Sequence, residues 1–209
     1  MDLLDVIQRR FSVRQFEHKE VPIDVLTELV QRAELAPTVN NQHHFRYTVV
    51  TNAAMLKKLG AVVGTTVDDI FPDDSLEDKQ STKKMIKKMS TFFQDAPSVI
   101  FISMKPYRAV ADRLTHRNQE FHEELNHQRN FPDIQSLGAV IQTILLSAVD
   151  LGFGGCWLSG LMVAQEELEK QLDIHGKYHL AAAVAIGMPA KMKTPKDLPD
   201  ISDRITFVE

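Results

Sequence analysis

The chain has a single cysteine, Cys156, so it makes no internal disulfide and fits a reducing compartment. It has no basic excess. Twenty-eight acidic residues stand against 24 Lys and Arg, and a net charge of −4 gives no nucleic-acid footprint. The opening residues, MDLLDVIQRR, carry acids where a signal peptide needs a basic start and an apolar run, so no leader is expected. Long apolar runs are also missing. The longest, around 139–149, is broken by Gln142, Thr143 and Ser147 and is too short to read as a membrane span. These absences make a soluble, cytoplasmic protein the expectation. What is present is 44% hydrophobic residues in 209, enough for one good core with an extra excursion.

Periodicity supplies the elements. Leu3, Leu4 and Ile7 stand at helical spacing before Arg9–Arg10, a pair suited to a helix C-terminus. In EVPIDVLTELVQRAELAP, Leu26, Leu29, Val30 and Ala33 line one face and Pro37 stops the helix. FRYTVVT, 45–51, is β-branched and aromatic and reads as a strand. Helices are expected over 53–63 and 82–93, the second with Met85, Ile86, Met89 and Phe93 facing inward. SVIFIS, 98–103, is a short apolar run after Ala96–Pro97, hence a strand buried on both faces. Residues 136–152 form a helix apolar on most sides, suited to a core or a subunit interface, and HLAAAVAIGMP, 179–189, is a final buried strand. The stretch 107–131 is polar and weakly helical, part of an excursion over about 105–132 that covers something. No repeat or linker appears, so 1–209 is expected as one α+β domain.

Two segments carry chemistry. RRFSVRQF, 9–16, sets Arg10, Ser12 and Arg14 at alternate positions, which point the same way in an extended segment. Two guanidiniums and a hydroxyl make a cradle for a phosphate, which arginine grips with two donors at once. Taken alone, a solvated basic patch is the plain alternative. LAPTVNNQHHFRYTVV, 35–50, crowds Pro37, Thr38, Asn40, Asn41, Gln42, His43 and His44 between a helix and a strand, more hydrogen-bonding side chains than a connection needs.

Arg10-x-Ser12-x-Arg14, then a helix, then Ala36-Pro37-Thr38-x-x-Asn41, resembles the nitroreductase family of flavin-dependent oxidoreductases. The likeness continues through DAPSVIFI (95–102), SLGAVIQTILLSAVDLGFGGCWLSGL (136–161) and AIGMPAK (185–191), in the family's order. It implies an α+β fold with a central, mostly antiparallel sheet flanked by helices, and an intertwined homodimer with FMN at the interface. It also implies ping-pong chemistry. NADH or NADPH gives hydride to flavin N5 and leaves, and a nitroaromatic, a quinone or a similar small-molecule acceptor takes its place. The flavin does the chemistry, so no protein acid or base is named. A non-catalytic flavin-binding protein, or a member that dehalogenates, dehydrogenates or breaks down flavin, stays open, with the excursion as the place where it would differ.

The resemblance also distributes roles. Arg10 and Ser12 hold the phosphate, while Arg14 lies near the N1 and O2 edge of the ring. Pro37, Thr38, Asn41 and His43 come from the second subunit to the ring's edge. Here His43-His44-Phe45 replaces the family's usual Gln-Pro-Trp. Trp157, Leu158, Ser159 and Gly160 pass over one flavin face, with a backbone N–H near Gly160 at N5. Among Lys191, Lys193 and Lys196, Lys196 is preferred as a second grip on the phosphate.

Other patterns are set aside. LGFGGCWLSG, 151–160, fails as a dinucleotide fingerprint: Trp157 takes the third glycine's place, and a helix precedes it where a strand is required. Cys156 reads as inert packing. His116, His122 and His127 are not spaced as a zinc pair and read as surface residues. Asp68, Asp69, Asp73 and Asp74 lack a calcium loop's pattern and read as a solvated acidic loop. Phe71, Tyr107, Phe121 and Phe131 are candidates for the roof of a substrate pocket, with core packing as the plainer fate.

Overall fold

A computed structural model describes residues 2–71, 76–114 and 119–208. Among the described residues, seven helices alternate irregularly with four strands. They are α1 (Leu3–Arg9), α2 (Ile23–Ala33), β1 (Phe45–Val50), α3 (Ala53–Ile70), α4 (Glu77–Thr91), β2 (Ser98–Met104), α5 (Gln119–Gln128), α6 (Pro132–Asp150), β3 (Gly154–Leu158), α7 (Gln165–Leu172) and β4 (His179–Gly187). The strands form one sheet in the order β1-β2-β4-β3, antiparallel throughout.

Side chains alternate across a strand, so one strand can feed two cores. In β2, Val99 and Phe101 join a cluster built from α3, α7 and the turns around Phe93 and Leu161. Ile100 and Ile102 of the same strand join Leu26, Leu29, Ile141 and Ile144 from α2 and α6 on the other face. Helices therefore cover both faces, as the continuous apolar run of β2 requires. Local chemistry fixes the ends. The Asp2 carboxylate accepts from the Asp5 N–H (2.9 Å) at the start of α1, and the Asn52 side chain accepts from Met55 N–H (2.9 Å) at the start of α3. Arg32 donates from Nη1 to Asp150 (2.7 Å), tying α2 to the end of α6, and the guanidinium holds the Asp150 carboxyl below its ordinary range.

Several expectations need correction. Met85 and Met89 are exposed, and of that face only Ile86 and Phe93 pack inward. Asp68 and Asp69 belong to the last turn of α3 rather than to a loop. Asp68 pairs with Lys87 and Lys83 across to α4, and the Lys87 hydrogen bond holds its carboxyl low. Asp73 and Asp74 lie outside the described residues, as does His116. Strand β3 and helix α7 were not anticipated. By length and composition alone α6 would pass for a membrane span. Its Leu137, Val140, Ile141, Ile144, Leu145 and Ala148 are instead core residues.

Candidate functional site

The N-terminal segment runs extended beside β3. Ser12 bridges Gly155, and the Val13 N–H donates to the Gly155 carbonyl at 3.0 Å. Val13 is buried while Ser12 is half-buried and Arg14 exposed, the alternation an extended chain requires. Gly154 permits this approach, since a Cβ there would stand 2.6 Å from a Val13 methyl. Packing at Gly154 and Gly155 and the positive φ of Gly152 (83°) therefore explain these glycines without a nucleotide motif.

Arg10, Ser12 and Arg14 converge on Cys156. All three act to lower its thiol pKa, but burial is the largest influence and pushes it up. Cys156 is 3% exposed and its sulfur makes a weak contact with the Trp157 carbonyl (3.5 Å), as an inert packing residue would. Neither Arg10 nor Arg14 has an ion-pair partner among the described residues. The C-terminal segment lies alongside. Ala190 N–H donates to Gln15 O and Lys196 N–H to Gln8 O, both at 3.0 Å. Lys193 stacks over the Phe11 ring (5.2 Å), on the side of the segment away from Ser12. Lys191 is exposed.

Along β3, Leu158 is buried and Trp157 48% exposed; Ser159 is exposed and Gly160 half-buried. A Cβ at Gly160 would lie 2.8 Å from Ser90 Oγ and 3.1 Å from Ser90 Cα, so close helix approach alone already requires glycine there.

The polar loop folds as a turn over Val39–Asn41, with Asn40 and Asn41 at positive φ (53° and 50°). Pro37, Asn41 and His43 are exposed and Thr38 is half-buried. His43 Nδ1 meets Glu34 Oε2 (2.9 Å), while Tyr47 O–H donates to Glu34 Oε1 (2.6 Å). Burial, then that carboxylate, drive the Tyr47 phenol pKa far upward. His44 turns inward, 1% exposed, with Nδ1 on the Gln42 carbonyl (2.8 Å) and its ring on Phe45.

The other polar side chains of this loop hold protein. Asn40 and Gln42 both donate to the Arg108 carbonyl (2.9 and 2.8 Å), and Arg108 N–H donates back to Gln42 Oε1 (2.9 Å). They clamp the excursion over a cavity of about 1110 Å³. Inside it, His122 is no surface residue: its side chain is 14% exposed and bonded through Nδ1 to Asp112 (2.9 Å). Its ring stands against buried Tyr107. Spacing could not have revealed an Asp–His pair joined across ten residues. His127 is exposed, and so are Phe71, Phe121 and Phe131, contrary to a core role.

The loop and the Arg10–Arg14 cradle sit at opposite corners of the sheet. Phe45, which follows the loop, aligns with Met104 and then His179; Gly155 aligns with Ile186 and then Ser98. Three strand spacings and six residues of rise separate them by roughly 14 Å across and about 20 Å along the strands. One chain does not bring both to one place.

This fold and this basic cradle define a class, which comparison makes specific. Residues 7–188 match the model of the nitroreductase family, and the chain belongs to that family. A structure of a BluB-like flavoprotein from Clostridium difficile 630 is 28% identical, with a TM-score of 0.84 and full coverage of both chains. A nitroreductase from Desulfitobacterium hafniense DCB-2, solved with bound FMN, is 24% identical with a TM-score of 0.72, again over 100% of each chain. YfhC of Bacillus subtilis (strain 168), by its name a candidate NAD(P)H nitroreductase, is 22% identical over 98% of this chain and 93% of its own.

Proposed function

We propose that the protein is an FMN-dependent oxidoreductase that passes reducing equivalents from NADH or NADPH to nitroaromatic, quinone or similar acceptors, as a cytoplasmic two-fold homodimer. One observation carries this reading: Arg10, Ser12 and Arg14 gather on one side of an extended segment, and neither guanidinium has an ion pair among the described residues. That donor set suits an anionic phosphate, which arginine grips with two donors at once. The names of the FMN-bound and NAD(P)H relatives agree with it.

In this reading Arg10 and Ser12 hold the FMN phosphate. Lys196, whose backbone is tied to Gln8, adds the second basic grip. Arg14 supplies a fixed cation near the ring, and Trp157, Leu158, Ser159 and Gly160 form its floor. Bound there, FMN supplies the two-electron chemistry that side chains lack. The chain's own task is to orient it, screen it from water and set the charge around it.

The opposite-corner arrangement supports the dimer. Pro37, Thr38, Asn41 and His43 lie some 25 Å from their own cradle by the strand spacings above. A second chain related by a two-fold axis delivers the same loop instead. The C-terminal tail agrees, since Ile201, Ile205, Phe207 and Val208 are all exposed and lack an apolar surface to cover.

A second reading, a flavoprotein with divergent chemistry or none, is favoured by the higher TM-score to the BluB-like flavoprotein, 0.84 against 0.72. Steady-state oxidation of NADH and NADPH with a simple quinone separates the two. The reductase reading expects turnover; a flavin-loaded protein that oxidises neither nucleotide sinks it.

A further inference from the structure

Helix α2 closes on an acid, where the helix dipole favours a base. Glu34 is its C-cap, and the basic residue of that last turn, Arg32, is engaged by Glu28 and Asp150. Glu34 instead joins the polar loop to β1, and both of its carboxylate oxygens are occupied. Oε1 accepts from the Tyr47 O–H at 2.6 Å, and Oε2 meets His43 Nδ1 at 2.9 Å.

The two bonds differ in kind. Tyr47 packs against the core between α2 and α6, and its phenol is held protonated first by burial and then by the carboxylate. Toward Glu34 it therefore donates, and it anchors the carboxylate from behind. His43 stands on the solvent side, its side chain 65% exposed. An exposed pair of this sort contributes little to stability. Its consequence is chemical. A carboxylate only accepts, so in the neutral ring Nδ1 carries the proton and Nε2 is an acceptor. Nε2 has no hydrogen bond among the described residues.

The loop thus presents one acceptor of settled polarity. In the function proposed above, this loop serves the partner's flavin. The oxidised ring carries acceptors along its edge and a single N–H, at N3. We propose that Glu34 is a positioning residue: anchored by Tyr47, it holds His43 as the Nδ1–H tautomer, so that Nε2 accepts the N3–H of FMN bound by the partner subunit. The inference rests on the FMN and dimer readings. It also gives a reason for the pair in this chain, where His43 replaces the family's usual glutamine. A glutamine amide carries its own acceptor and needs no orienting group, whereas a histidine does.

Fluorescence titration with FMN and nitrogen NMR of the His43 ring in flavin-free protein, both in mildly alkaline buffer, test this. Glu34→Gln keeps the side chain's size, but its amide can donate to Nδ1 and hand the ring proton to Nε2, which then opposes the N3–H. FMN should bind about tenfold more weakly, the scale of one lost hydrogen bond, and the NMR should show the proton moved to Nε2. In a His43→Gln background, Glu34→Gln should cost nothing, because the coupling passes through the histidine. A merely structural Glu34 would cost the same in both backgrounds, which overturns the proposal. FMN methylated at N3 should bind the wild type about tenfold more weakly than FMN, and that difference should vanish in Glu34→Gln. If Glu34→Gln fails to fold, the wild type decides: a ring protonated at Nε2, or equal affinity for the two flavins, overturns the proposal. Undiminished FMN affinity in folded Glu34→Gln also overturns it and leaves the FMN reading standing. A wild type that takes up no FMN defeats both.

Discussion

Gly160→Ala adds one carbon at a point where the protein has two competing reasons for glycine. The family resemblance gives a ligand reason, a backbone N–H brought close to flavin N5. The structure gives a packing reason. The new Cβ would stand 2.8 Å from Ser90 Oγ, 3.1 Å from Ser90 Cα and 3.3 Å from Ser90 Cβ. A rotamer change relieves the first contact but not the other two, so α4 must shift. Overpacking of this kind costs about 1–3 kcal/mol. For a chain of this length each kcal/mol moves Tm by roughly 2–4 °C, so a fall of about 2–12 °C is expected. The assay is thermal unfolding of flavin-free protein followed by circular dichroism, which isolates packing from ligand. Ser90→Ala in the same chain should recover part of the loss by removing the nearest atom. A flavin-free Gly160→Ala protein that melts with the wild type would refute the packing argument and leave the ligand as the sole reason.

Arg10→Gln should weaken FMN about 10- to 150-fold, the range of about 1.5–3 kcal/mol for a charged hydrogen bond, with Tm of the flavin-free protein unchanged because Arg10 has no ion pair among the described residues to lose. Fluorescence titration reads the first and calorimetry the second. Arg14→Gln should leave FMN bound but lower its midpoint potential by roughly 40 mV, from about 2 kcal/mol of lost attraction to the reduced ring; an unchanged potential in a spectroelectrochemical titration removes that role. Buried Cys156, its thiol pKa raised, should resist iodoacetamide in the native protein and react on unfolding; rapid native labelling contradicts this. Asp68 is held below its ordinary 3.8 by Lys87, so its contribution to stability is present above that value and lost as pH falls through the folded pKa. Thermal melts should show Asp68→Asn destabilising at pH 7 and indistinguishable from wild type under strong acid; an equal deficit at every pH would be the wrong sign.

The sequence was most informative where a pattern is local. Alternation in β2 and helical spacing in α2 and α6 each depend on neighbours within a few residues. The Arg10-x-Ser12-x-Arg14 face is legible for the same reason. Strand β3 escaped notice because Gly154 and Gly155 dilute its signal, and only the partner β4 makes GGCWL a strand. Helix α7 buries only Leu168 among mostly polar residues, too little for a clear stripe. The hold of Asn40 and Gln42 on Arg108 spans more than sixty residues and has no sequence signature. That loop's polarity is therefore divided: Asn40 and Gln42 secure the excursion, and neither is among the residues read as ligand contacts.

The central claim is that the Arg10–Arg14 cradle is built for one FMN. Acid-released flavin from the purified protein, identified by chromatography and counted against protein, tests it most directly. The account predicts FMN at one per chain, lost in an Arg10→Gln, Ser12→Ala double variant that stays folded. Flavin that chromatographs as FAD, no uptake on adding FMN, or full FMN occupancy in the double variant would contradict it.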